Sequence, residues 1–564
     1  MVLLGGLGLR LWGVKQGLPY AYNADEADHF VPHAIEMFAR GTLNPRYFAN
    51  PPGFTYVLHG LFALWYGGAS GAVRAYALHP EALYTLARVA AAVLGTIALW
   101  LLYLAGARLW GRAVGLLAAA IEAVAFLPVF YAHLALNDAP TLAPATLSLL
   151  GTAGILRKGR ARDYLLAGIG LGIACATKYT AGIVLVPLLV AALARYLDGG
   201  SAAARRACGG LVLAGFCALL AFFIANPYSL LDYSAFHREL VHQSTLSGES
   251  QGKLGAPKQG GLVYYLWSLT WGLGWGPSLA ALGGALTVWR SERRLGWLLV
   301  PATLAFLAFM GLQGRYFGRW LMPILPVVCL LAAFFVVELI SWCGRVLSGR
   351  PSRVVLAALF VVALLIQGFV YSVHSGIVLS RADTRNLTRK WMLAHIPAGA
   401  KIVAEPVEPE EWAREVTPGS STAHNPFRWQ LYPALFRRIT SGGSIAPAFI
   451  RPEVGLENYE TTLHPALIDF YEREGYCWVI TGSTESGRAF VDPKAVPGAI
   501  AYYRKLARDG EVVYRASPYE HGQGGGRDSV AFDFDWSFDY YPMAYLRPGP
   551  QMTVYRLHGG RCGG

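Results

Sequence analysis

Through the first two thirds of the chain, apolar residues form long unbroken runs, and polar residues are confined to short clusters between them. Such runs predict membrane-crossing helices, for which about 20 apolar residues at 1.5 Å each cover a hydrocarbon core of roughly 30 Å. Candidates lie near 2–19, 80–107, 113–132, 139–156, 164–178, 180–196, 208–225, 262–289, 297–312, 320–342 and 353–373, about eleven in all. The fifth and sixth are short, so a re-entrant segment is an open alternative there. Basic clusters occur at every second junction: Arg108 and Arg112; Arg157, Lys158, Arg160 and Arg162; Arg195, Arg205 and Arg206; Arg290, Arg293 and Arg294; Arg345, Arg350 and Arg353. The positive-inside rule assigns these to the cytoplasm. The N-terminus is then cytoplasmic, and the outer face carries the long segment 20–79, the turn 133–138, the loop 226–261, the turn 313–319 and everything after 374.

After Tyr371 the pattern changes to charged residues, Pro and short alternating runs. Helix-period segments at 384–396, 463–474 and 497–508 alternate with strand-like runs at 401–404, 477–481, 511–514 and 552–557. The expected organisation is a transmembrane domain over 1–373 and an extracytoplasmic soluble α/β domain over 374–564, of ordinary domain size. The fold class is thus a polytopic α-helical membrane protein with a C-terminal α/β domain. No internal repeat is evident. The Gly-rich 522–526 stretch reads as a loop and not as a phosphate cradle, because no helix follows it.

Composition narrows the class. Of 564 residues 54% are hydrophobic and 15% charged, with a mean hydropathy of +0.37, which argues against a soluble cytoplasmic enzyme. The net charge of +13 follows the loops between apolar runs and so reports topology; no nucleic-acid partner is implied. Five of the seven cysteines sit in or beside apolar runs, where Cys acts as a small hydrophobe. Cys477 and Cys562 lie in the polar part and read more simply as unpaired than as a disulfide, and without a CxxC neither zinc nor thioredoxin chemistry has support. The stretch 1–19 lacks a basic leader and a cleavage site, so it reads as a retained first span, short enough that a few residues may be missing before it.

Ionisable residues at span ends need individual accounting, since lipid offers them no water. Asp25 and Glu26 follow the first span; Asp138 sits in a turn that must hug the membrane surface. The plain readings are a solvated acidic loop for the first two and a helix N-cap for Asp138. Cations gather at the same level: Arg88 at the outer start of the second span, Lys178 at the end of the fifth, Arg315 and Arg319 before the tenth. Each alone is explained by snorkelling. Together they violate the inside bias, and acids beside cations at an outer surface suit a base that activates a hydroxyl while positive charge receives a leaving phosphate.

The Asp25-Glu26 pair, Asn50-Pro51-Pro52, Arg88, Asp138, Thr177-Lys178 and the run Arg319-Trp320-Leu321-Met322-Pro323-Ile324-Leu325-Pro326 together resemble the GT-C glycosyltransferases of the protein O-mannosyltransferase and aminoarabinose transferase type. Asp383-Thr384-Arg385 through Trp391, followed by Ile396-Pro397-Ala398-Gly399-Ala400, resembles the opening of the outer domain that many bacterial members carry. The resemblance implies a polyprenyl-phosphate-linked sugar as donor and an inverting single displacement outside the cytoplasm, at the cell membrane. Asp25 would be the general base, with Glu26 orienting it or the acceptor. Asp138 would position the acceptor or hold a cation. Lys178 and Arg319, with Arg88 or Arg315, would bind the donor phosphate. A metal is not argued from sequence, and the cofactor question is left open.

A transporter or lipid flippase is the leading alternative, although that class keeps its polar residues near the bilayer midplane in two related halves. A structural or assembly membrane protein is the next. Neither the sugar nor the acceptor, whether protein, lipid or glycan, is named by the sequence, and the Asn386-Leu387-Thr388 sequon is read as without meaning.

Overall fold

The computed structural model describes residues 1–197, 200–248, 254–255, 260–346, 350–406, 411–414, 426–431, 456–519 and 543–563. The Gly-rich 522–526 stretch lies outside them. A helical body is followed by a mixed α/β unit. Among the described residues seven helical stretches are long and apolar enough to cross a membrane: Pro80–Leu109, Asp138–Arg157, Tyr179–Leu197, Ser201–Ala225, Arg293–Gly311, Gly318–Arg345 and Arg353–His395, the last divided between the apolar helix Arg350–Leu379 and a separate helix Thr384–His395.

The four other apolar runs are shorter or interrupted. The first yields only Val2–Leu11, and the third breaks at Ala125 between Arg112–Val124 and Phe126–Tyr131. The fifth is Ala161–Thr177, of 17 residues. The eighth is divided by a π-helix, Thr270–Gly274, between Gly261–Leu269 and Trp275–Ser291. Hydropathy alone does not register such breaks, because each fragment remains apolar.

The body buries small residues where helices cross. A Cβ added at Gly151 or Gly170 would meet backbone of the facing helix at 2.3 Å, so Asp138–Arg157 and Ala161–Thr177 pack backbone to backbone. In lipid this close approach replaces the hydrophobic drive that water would supply.

The C-terminal unit holds a five-stranded sheet of order β2-β1-β3-β5-β4, with β1 Lys401–Ala404, β2 Arg428–Leu431, β3 Trp478–Gly482, β4 Gly510–Ala516 and β5 Met552–Leu557. β1 pairs with β2 and β3 in parallel, whereas β5 runs antiparallel to β3 and β4. Side chains alternate between two cores, as a strand's period of two requires. Val403 and Val479 join Leu467, Tyr502 and Leu506 on one face; Ile402, Ile480 and Val554 join Met392 and Trp412 on the other. Tyr20, from the segment 20–79, packs into that second core.

Cys477 and Cys562 form a disulfide, contrary to the unpaired reading, with Cα atoms 5.3 Å apart across a separation of 85 residues. The antiparallel β3–β5 pairing explains it. Leu557 N–H donates to the Cys477 carbonyl at 2.9 Å, which returns the chain to the start of β3.

Candidate functional site

Past Val2–Leu11 the chain crosses the end of the body and re-enters helix through a π-helix, Glu26–Phe30, that continues into Val31–Arg40. Asn23 Oδ1 accepts from the Glu26 N–H at 3.2 Å and sets the start of this turn. A π turn holds one residue more than an α turn and is often found at functional sites. Here two adjacent acids meet entirely different surroundings.

Glu26 points inward. Both its oxygens take the Arg88 guanidinium, from Nε and Nη2 at 2.7 Å each, and the two side chains are fully buried. Arg88 Nη1 donates to the Val14 and Gln16 carbonyls at 2.9 and 2.7 Å. Glu26 Oε1 also accepts from the Ala135 N–H at 2.7 Å, tying the segment 20–79 to the 133–138 turn. The Arg88 guanidinium is thereby engaged from all three of its nitrogens inside the protein and does not reach the cluster around Asp25.

Asp25 remains at the rim, its side chain about a third exposed, and accepts from Arg319 Nη2 at 2.5 Å. Arg319 Nε lies 3.9 Å from Asp138 Oδ2, and Asp138 Oδ1 accepts from Lys178 Nζ. Two acids and two cations from four distant parts of the chain thus form one line, Asp25–Arg319–Asp138–Lys178. Enclosure by protein raises the Asp25 carboxyl, but Arg319, His29 and Lys178 outweigh it and hold it well below the usual carboxylate range.

Local structure fixes each member. Asp138 opens the Asp138–Arg157 helix and Lys178 closes Ala161–Thr177, so antiparallel packing brings them to one end of the body. Asn137 Nδ2 donates to the Thr177 carbonyl at 2.6 Å and clamps these two ends together. Gly53 lies so close that a Cβ there would meet the Ala176 carbonyl at 2.5 Å, which seats the Asn50-Pro51-Pro52 segment beside Lys178. Arg319 enters from the 3-10 turn Gly318–Ile324, its guanidinium 4.9 Å from the Phe317 ring centroid. Arg315, four residues earlier, is partly buried, with Nε left without a hydrogen-bond partner. Among the described residues no group of three or more His, Cys, Asp or Glu is disposed to hold a metal ion.

Two features escaped the sequence reading. His29 Nε2 lies 3.6 Å from Asp25 Oδ1, and the i,i+4 spacing within 25–30 was a signal for it. Glu239, on the Tyr233–Gly248 helix, accepts from the backbone N–H groups of Phe48 and Ala49 and so holds the 42–50 stretch; no local pattern points to it.

Residues 82–226 match a family model described as dolichyl-phosphate-mannose-protein mannosyltransferase. The oligosaccharyltransferase of Archaeoglobus fulgidus, in a structure tethered with an acceptor peptide, superposes with a TM-score of 0.51 at 12% identity, over 92% of this chain and 72% of that one. The chain has the GT-C fold. ArnT from Cupriavidus metallidurans, bound to undecaprenyl phosphate, aligns over 98% of this chain and 96% of that one at 14% identity, with a TM-score of 0.47. No curated protein matches by sequence. In this GT-C chain the family-model match contains Arg88, Asp138 and Lys178, whereas Asp25 and Arg319 lie outside it and join them only through the fold.

Proposed function

We propose that the chain is a membrane glycosyltransferase that moves a sugar from a polyprenyl-phosphate donor to an acceptor hydroxyl at the outer face, by inverting single displacement. The observation that carries this reading is the Asp25–Arg319–Asp138–Lys178 line at one end of an apolar body. A phosphate is a good leaving group that needs charge neutralisation and no acid, and Lys178 and Arg319 offer that. Arg315, with a free Nε, is a further phosphate ligand in this scheme. Asp25 takes the proton of the acceptor hydroxyl, and Asp138 aims Lys178 and Arg319. Glu26 acts with Arg88 as the buried support of the turn that carries Asp25. The matched family's description names a lipid-phosphate-linked sugar as donor, in keeping with this chemistry.

The outer-face assignment draws support from the disulfide of the C-terminal unit, since such bonds persist in oxidising compartments. That unit contacts the same end of the body as the site. Reporter fusions after Ser201 and after Gly563 should label opposite sides of the membrane.

The deciding measurement is turnover of radiolabelled polyprenyl-phosphate sugars by the full chain in envelope membranes. Asp25→Asn keeps the shape but cannot accept the proton, and should lower turnover by about 10²- to 10⁴-fold with donor binding retained. Near-normal turnover in this variant would remove Asp25 from the role of base.

A further inference from the structure

Asp25 uses its two oxygens differently. Oδ2 takes Arg319, whereas Oδ1 faces His29 Nε2 at 3.6 Å. The His29 ring is held in place by stacking on Tyr47, with centroids 4.8 Å apart and planes 19° apart. Tyr47 also stacks with His33 at 4.7 Å and 12°, and its hydroxyl accepts from Asn50 Nδ2 at 2.7 Å. The plain explanation is that His29 only packs. Packing alone, however, does not account for Nε2 being directed at the carboxylate that must gain and lose a proton in every turnover. The imidazole is 28% exposed, so it also has access to water.

We propose that His29 relays to external water the proton that Asp25 removes from the acceptor hydroxyl, an inference that rests on the transferase reading above. The acceptor oxygen bonds to the anomeric carbon as the bond from that carbon to the donor phosphate oxygen breaks, and the electron pair leaves with the polyprenyl phosphate. The hydroxyl proton passes to the Asp25 carboxylate, then to neutral His29 Nε2. The imidazolium releases it to solvent, and both groups return to their starting state. No other reactant is required.

The relay answers a difficulty in the site. A carboxylate whose basicity is suppressed by Arg319 is a poor resting place for a proton, and proton transfer is efficient when the acceptor's affinity suits the operating pH. An imidazole is the side chain best matched to that range. Imidazolium beside Asp25 would in turn be ion-paired. The charged and titratable groups around His29 are Asp25 on its own turn, Arg319 and Lys178 through that carboxylate, and Tyr47 and His33 in the stack. Beyond His33, Glu36 lies 3.5 Å away and is itself paired with Arg40 at 2.9 Å.

The test uses the full chain in envelope membranes with a panel of radiolabelled polyprenyl-phosphate hexoses and pentoses. His29→Gln should lower kcat by about 10- to 100-fold while donor KM stays unchanged. His29→Gly should lose as much, and added imidazole should restore several-fold turnover to it but none to Asp25→Asn. Full kcat in His29→Gln, or a His29→Gly defect that imidazole leaves untouched at normal donor KM, would overturn the relay. Absence of wild-type turnover across the panel would instead overturn the transferase reading, and the relay with it.

Discussion

Arg319 is bonded to Asp25 at 2.5 Å, so the guanidinium proposed to hold the leaving phosphate is also the group that suppresses the basicity of the proposed base. A phosphate drawn to Arg319 competes with Asp25 for the same donors. In the proposed scheme donor binding would weaken the ion pair and restore part of the carboxylate's affinity for a proton when one must be taken.

This coupling predicts two effects of Arg319→Gln. Loss of a charge-assisted hydrogen bond, about 1.5–3 kcal/mol, should weaken donor binding by roughly 10- to 100-fold. Asp25 should also titrate higher. A base works only when unprotonated, so activity in the variant should fail at a higher pH on acidification than in the parent. Donor titrations and pH–rate profiles check both; an unmoved acid limb would separate Arg319 from Asp25.

Glu26 and Arg88 lead to a different expectation, because their charges are fully buried and satisfied by each other and by backbone. Removing one partner of such a pair leaves an uncompensated charge, at a typical cost of about 3–5 kcal/mol. Arg88→Met and Glu26→Gln should each lower the melting temperature in detergent strongly, and the double variant should recover part of the loss. Donor affinity of the folded fraction should stay near normal. A selective donor-binding defect in Arg88→Met at unchanged stability would restore Arg88 to the phosphate site.

The unequal legibility of these residues has a physical basis. Asp25, Asp138, Lys178 and Arg319 stand at the ends of apolar runs, where charges of both signs gathered at one end stand out against the apolar pattern. The inward turn of Glu26 depends on the π-helix and on Arg88, 62 residues away, and nothing within 20–30 encodes it. Most of the C-terminal domain's elements are visible as alternation or helical period, since each buries one face. β2 was missed because Arg428–Leu431 is short and becomes a strand only through its register on β1, Lys401 opposite Arg428. The Cys477–Cys562 bond required the β3–β5 pairing, a contact across 85 residues of chain.

The C-terminal domain should respond to pH. Glu405, Glu460 and Glu485 are buried together, with Glu460 accepting from Arg488 at 2.7 Å and Glu405 from the Tyr503 hydroxyl at 3.2 Å. Burial pushes the Glu485 carboxyl up to about 7, against the pull of Arg488. Burial and neighbouring carboxylates raise Glu405 well above its ordinary value, and burial raises Glu460 despite Arg488. Glutamate in an unfolded chain titrates near 4.3. Between that value and 7 the folded domain holds protons that the unfolded chain has released, so stability is complete at the acid end and is lost as pH rises. Amide protection in residues 478–506 of the full chain, taken as the exchange rate relative to that of an unfolded chain at the same pH, should be greater at pH 5.5 than at pH 7.5. Glu485→Gln should flatten this difference; equal protection at the two pH values would mean that the three carboxyls are ionised in the fold.

The last expectation concerns what the C-terminal domain does for the site. Asn386, at the start of the Thr384–His395 helix, donates to the Gly17 and Leu18 carbonyls at 2.9 and 3.3 Å and accepts from the Tyr22 hydroxyl at 2.5 Å. Arg385 covers the Tyr22 ring at 3.6 Å, and Arg389 lies 5.6 Å from that of Tyr20. The segment held in this way runs directly into the turn that carries Asp25. A base must be placed within hydrogen-bond reach of its proton, and a small misplacement is costly in rate. Asn386→Ala removes the amide donors and the acceptor together, loosening 17–22 without touching Lys178 or Arg319. The expected result is a fall in kcat of about tenfold with donor Kd unchanged, and a smaller fall in Asn386→Asp, which keeps the acceptor for Tyr22. Steady-state turnover alongside donor binding on the same membranes measures both. If Asn386→Ala lowers thermal stability but leaves kcat intact, the C-terminal domain covers the body without positioning Asp25.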